Sequence, residues 1–125
     1  MEKLTVVLVD PPDDEDASVT LRSEEGEVVA FCWPCGLQVG DVIENRLSVL
    51  EADVLAVYFS DWPDDEKEAL STEWIERIGH YAYRGRGRVI DQTDGLVQVK
   101  GFIIEMDVLS DGYVDFNITR LDVRR

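Results

Sequence analysis

From Leu4 to Val123 the chain is cut into short runs in which apolar and polar residues alternate. That period of two constrains the fold more than any other feature. In "Y-V-D-F-N-I-T", Val114, Phe116 and Ile118 alternate with Asp115, Asn117 and Thr119, as a strand does with one face on a core and the other in water. Leu4–Val9 and Ser18–Leu21 are β-like runs, and "S-E-E-G-E" is a turn leading into Val28–Trp33, so residues 18–33 are predicted to form a hairpin. "G-L-Q-V-G-D" (36–41) is another turn. Beyond it, residues 42–59 are β-rich and broken near Glu51-Ala52-Asp53. Three more strands are predicted over 80–91, 96–108 and 113–123, with the Asp-Gly pairs of "Q-T-D-G" and "S-D-G" supplying the turns.

One segment carries helical signals. Pro63 suits a first helical position, and Asp64, Asp65 and Glu66 suit the positive end of a helix dipole. Leu70, Trp74 and Ile78 recur every four residues with Ile75 beside them, and Gly79 is a stop signal. These residues predict one helix over about 63–78, with Trp74 on its buried face. The expected fold is therefore mainly β: a single acidic domain over 1–125, with about six to seven strands and the helix between the third and fourth barrel strands. The element order over roughly 18–108 resembles that of the OB-fold, a small Greek-key barrel. The resemblance implies a barrel or half-barrel and rests on no sequence motif.

Charge bears on partners. The net charge is −15, and it is unevenly spread: residues 1–76 hold 20 acids and 4 bases, residues 77–125 hold 7 acids and 8 bases. Such a field repels nucleic-acid phosphates and anionic lipid and draws basic partners inward. The segment "D-P-P-D-D-E-D-A-S" (10–18) is predicted to be a solvated loop, because Asp13, Asp14, Glu15 and Asp16 lack the interleaving and the glycine of a calcium loop. No run approaches the ~20 apolar residues of a membrane span. The start of the sequence lacks a signal-peptide layout. A cytoplasmic location with reduced thiols is expected, with no membrane partner and no cofactor.

"A-F-C-W-P-C-G" (30–36) offers the only thiol motif. "C-W-P-C" looks like the C-x-x-C of thioredoxin-like proteins, whose first cysteine sits at a helix start. Here "G-L-Q-V-G-D" follows, so no helix is expected and redox catalysis is not favoured. A zinc site is short of ligands, since Cys32 and Cys35 are the only cysteines and His80 the only histidine. Both cysteines are read as strand-end packing residues, with alternation placing Ala30 and Cys32 on one face and Trp33 on the other. "Y-R-G-R-G-R" (83–88) is the one basic cluster; on a strand Arg84, Arg86 and Arg88 share a face, where they can bind an anion or pair with the chain's own acids.

Phosphate-loop, dinucleotide-binding and serine-nucleophile motifs are all missing, so a non-enzymatic protein is expected. The leading expectation is an acidic interaction protein that engages a basic protein partner, as inhibitor, charge mimic or accessory subunit. Trp33, Trp62, Asp64 and Asp65 are its candidate contacts. The alternatives are an OB-like binder of single-stranded nucleic acid or a small anion through Arg84, Arg86 and Arg88, and a thiol or metal site at Cys32 and Cys35.

Overall fold

Alternation in the sequence becomes alternation in burial. In the segment Gly112–Ile118, Val114, Phe116 and Ile118 are buried while Asn117 is exposed. The computed structural model of the chain describes residues 3–10, 17–33, 35–56, 72–108 and 112–123. These are organised as β1 (Lys3–Asp10), β2 (Ala17–Arg22), β3 (Glu27–Cys32), β4 (Val42–Glu44), β5 (Leu47–Val49) and β6 (Ala52–Ala56). There follow β7 (Trp74–Arg77), β8 (Tyr83–Asp91), β9 (Leu96–Val99), β10 (Phe102–Glu105), β11 (Gly112–Ile118) and β12 (Leu121–Val123). The protein is mainly β, with no helix among the described residues.

Hydrogen bonds join the strands in the order β4-β1-β2-β3-β12-β5-β10-β9-β8-β11-β6, with β7 attached to β8. The end strands β4 and β6 do not pair with each other, so this path is open. Most pairings are antiparallel; β3–β12 and β5–β10 are parallel, each held at one register pair, Phe31↔Asp122 and Leu47↔Ile104. The sheet curls so that its two halves share one core. Leu4, Val19 and Leu21 from one half join Val97, Phe102, Ile104 and Ile118 from the other. Burying each such side chain contributes about 1.5–3 kcal/mol.

Three expectations are corrected. Where a helix was predicted over 63–78, residues Trp74–Arg77 form β7, antiparallel to β8 with Ile75 opposite Gly85; residues 63–71 lie outside the described residues. Trp74, expected to be buried, is 38% exposed. The physical reason is that "W-I-E-R-I" is rich in β-branched and aromatic residues, and a neighbouring strand with two inward glycines accepts it closely. The described strands number twelve rather than six or seven, because three predicted long runs are broken by corners. The run 96–108 turns back at Lys100–Gly101, where both residues have positive φ, 48° and 80°, the geometry of a two-residue hairpin turn. Thr119 and Arg120 separate β11 from β12, and Asn45 and Arg46 separate β4 from β5. The ladder path is open and includes two parallel pairings.

Of the loop predicted over 10–18, Asp10 belongs to β1 and Ala17 and Ser18 belong to β2. Residues 11–16 lie outside the described residues.

Tyr83 connects the two halves directly. Its buried phenol oxygen accepts the Val29 N–H at 2.7 Å, a donor that β12 does not reach. Burial pushes the phenol above its ordinary pKa near 10, against the opposing pull of the Val29 N–H and of Arg77. Because the folded value is the higher one, its contribution to stability is complete below about pH 10 and is lost as the pH rises through the folded value. Tyr83→Phe is expected to cost about 1–3 kcal/mol, through the stranded Val29 N–H. It should also flatten the alkaline fall in the urea midpoint relative to the parent protein; an equally steep fall would contradict the assignment.

Candidate functional site

β8 places the arginines as its alternation requires. Tyr83, Gly85 and Gly87 face inward and are buried, while Arg84, Arg86 and Arg88 face outward. Two of the three are held by the chain's own carboxylates. Arg84 Nε donates to Glu76 Oε2 at 2.8 Å across the β7–β8 pair. Arg86 grips Asp115 on β11 with two bonds, Nε to Oδ1 at 2.5 Å and Nη2 to Oδ2 at 3.1 Å. The guanidinium is mostly buried in that pair, at 14% side-chain exposure. Arg88 is exposed and makes no ion pair among the described residues.

The cysteine motif sits at a strand end. Cys32 is fully buried with Ala30 and Val28 on the inner face of β3, and Cys35 packs against the core. Neither forms a disulfide, and residues 35–38 form no helix. Among the described residues no group of three carboxylate, thiol or imidazole side chains is gathered closely enough to hold a metal ion. Trp33 points outward at 61% exposure. Trp62, Asp64 and Asp65 lie outside the described residues.

A polar cluster unforeseen from the sequence sits on the outer face of β2 and β3. Ser18 Oγ lies 2.8 Å from His80 Nε2 and 2.7 Å from Tyr81 Oη. The Tyr81 ring meets Phe31 edge-on at 5.5 Å, and the Arg120 guanidinium covers the other ring at 4.6 Å. Asp122 bonds Arg120 at 2.7 Å and holds that guanidinium more firmly protonated. Arg77 donates to the carbonyl oxygens of Gly79 and His80, fixing the β7–β8 connection over β2. Among the described residues the imidazole's other nitrogen has no partner, so no orienting third group of a nucleophilic triad stands beside the Ser–His contact there. Its role is to fasten one half of the sheet to the other.

A concave feature lined by described residues lies elsewhere. β5 and β10 run parallel and touch at Leu47↔Ile104. Beyond that pair a cleft of about 1180 Å³ opens between Ser48–Leu50 on one side and Glu105–Val108 on the other. Its remaining walls are the start of β6, Thr119, and the β8–β9 turn at residues 92–95. Five carboxylates line it, from Glu51, Asp53, Asp94, Glu105 and Asp107, and no lysine or arginine does among the described lining residues. Arg46 reaches Glu105 at 3.5 Å from outside this lining. A depression lined by carboxylates concentrates cationic ligands.

The cleft is not lined by the acidic N-terminal part, residues 1–76, alone. Glu51 and Asp53 come from that part, whereas Asp94, Glu105 and Asp107 come from the near-neutral remainder. None of the five stands out in sequence, because each sits at a strand end or turn among 27 acids. The parallel β5–β10 contact that gathers them has no local signature.

No family model, curated protein or solved structure matches the chain. Among the described residues, no helix is long and apolar enough to cross a membrane.

Proposed function

We propose that the chain is a non-enzymatic acidic interaction protein that binds a basic protein partner through the cleft between β5 and β10. The observation that carries this reading is the lining of that cleft: five carboxylates and no cation among its described residues. The pairing of Arg84 and Arg86 with Glu76 and Asp115 supports it, since the one basic strand is largely neutralised from within. An inhibitor, a mimic of nucleic-acid charge and an accessory subunit all fit this chemistry.

An exposed Arg88 without an ion pair among the described residues favours a second reading, an OB-like binder of single-stranded nucleic acid or a small anion through Arg84, Arg86 and Arg88. A charge of −15 and the two internal ion pairs weigh against it. Fluorescence anisotropy separates the two. A labelled lysine-rich peptide is expected to bind at low salt and to lose about tenfold in affinity at physiological ionic strength, as solvent-exposed charge pairs are screened. Short single-stranded oligonucleotides are expected not to bind in the micromolar range. Peptide binding that ignores salt would overturn the first reading; oligonucleotide binding lost in Arg88→Ala would establish the second.

A further inference from the structure

The cleft is bounded by a strand edge as well as by charge. β5 and β10 share one register pair, Leu47↔Ile104, and then part. On one wall, β5 uses its far edge to pair with β12 through residues 47–49, so among the described residues the edge towards β10 has no ladder partner past Leu47. On the other wall, the chain leaves β10 at Glu105, and residues 106–108 belong to no ladder. Met106 N–H is taken by the Gly95 carbonyl at 2.8 Å; Asp107 and Val108 make no backbone hydrogen bond among the described residues. A parallel pair that opens after one contact leaves a wedge with the β5 edge on one side and the non-ladder segment 106–108 on the other. Such an edge recruits an extended segment, with main-chain bonds giving affinity and alternate side chains giving specificity.

We infer that this wedge takes an extended, lysine- or arginine-rich segment of a partner protein as an added strand. The inference rests on the cleft-binding reading above and deepens it by naming the occupant's conformation. Three observations select that occupant. The volume, about 1180 Å³, exceeds the roughly 300–1,000 Å³ of ordinary small-molecule pockets. The carboxylates are spread along the walls rather than gathered as an ion's ligands, since no three acidic, thiol or imidazole groups cluster among the described residues. Finally, the acids lie on both sides: Glu51 and Asp53 follow β5, while Glu105 and Asp107 border β10. An inserted strand with cations at alternate positions meets carboxylates while its backbone meets the β5 edge. A second copy of this chain is a poor occupant, because both copies carry −15.

The test compares two short peptides of alternating lysine and valine, identical in charge, one N-methylated at every valine. N-methylation removes backbone donors and leaves the cations in place. Isothermal titration at low salt is expected to show the unmodified peptide binding about tenfold more tightly or better, and Asp107→Lys is expected to abolish most of that binding. Equal affinity for both peptides, still sensitive to salt, overturns strand addition and leaves the acidic-interaction reading standing. Binding of neither peptide overturns both. A dimer that the unmodified peptide dissociates would show the wedge filled by a second copy, which also contradicts the proposal.

Discussion

Gly85→Ala is expected to destabilise the protein by about 3 kcal/mol or more, a large effect for one methyl group. A Cβ at Gly85 would meet the Trp74 carbonyl oxygen at 2.2 Å, Phe116 Cζ at 2.9 Å and Ile75 Cα at 3.0 Å. Phe116 can turn aside. The other two atoms are β7 backbone, and they can yield only if β7 leaves β8. Overpacking relieved by side chains costs about 1–3 kcal/mol; displacing a strand adds the loss of its ladder. Gly26→Ala is the matched control, since nothing lies within 4 Å of its would-be Cβ. There the alanine is expected to be neutral or to stabilise by a few tenths of a kcal/mol, by restricting the unfolded chain. Urea midpoints of the two variants decide the matter. Equal stability would mean that β7 does not pack on β8 as described.

Asn45→Ala is the second large loss, expected at about 3 kcal/mol. Asn45 is the one buried polar side chain among the described residues, at 4% exposure. Its Nδ2 donates to the Gly101 carbonyl at 2.7 Å, and its Oδ1 accepts the Ile103 N–H at 3.0 Å. The side chain thus does for the start of β10 what a neighbouring strand would do, at the corner where β4 passes into β5. Alanine strands both backbone groups out of reach of water, at about 1–3 kcal/mol each. Asn45→Asp distinguishes this from simple loss of packing. It keeps the shape and the acceptor, loses the donor, and places a charge in a buried site. Its destabilisation should therefore be worse at neutral pH than at mildly acidic pH, where the new carboxyl can be neutral. A pH-independent loss equal to that of alanine would contradict the hydrogen-bonded role.

The difference between what the sequence discloses and what it hides follows from range. Local alternation is a property of the strand itself, so the inward glycines and outward arginines of β8, and the buried Cys32 beside outward Trp33, are legible from spacing alone. The turn at Lys100–Gly101 escapes, because lysine is not a turn former and Gly101 alone marks the site. The segment Trp74–Arg77 is misread for a related reason. A four-residue apolar spacing over so short a run also satisfies a strand, and pairing with β8 decides between them. The acidic cleft is the least legible feature. It exists because β5 and β10, more than fifty positions apart, touch once and part. Composition shows that the chain is acidic, and only the ladder order shows where those charges are gathered.

The proposed binding resides in the cleft and not in the charge of the whole surface. Its most direct test is a pair of double charge reversals with equal change in net charge. Asp53→Lys with Asp107→Lys alters the cleft. Glu24→Lys with Glu25→Lys alters the exposed β2–β3 turn, which packs beside Lys100 and Gly101 at the opposite end of the β9–β10 hairpin from the cleft. Titration of the lysine-rich peptide is expected to show at least about a tenfold loss, or ~1.4 kcal/mol, for the cleft pair and less than about threefold for the turn pair. Equal losses in the two variants would mean that the peptide responds to net charge alone, and the cleft would then not be the binding site.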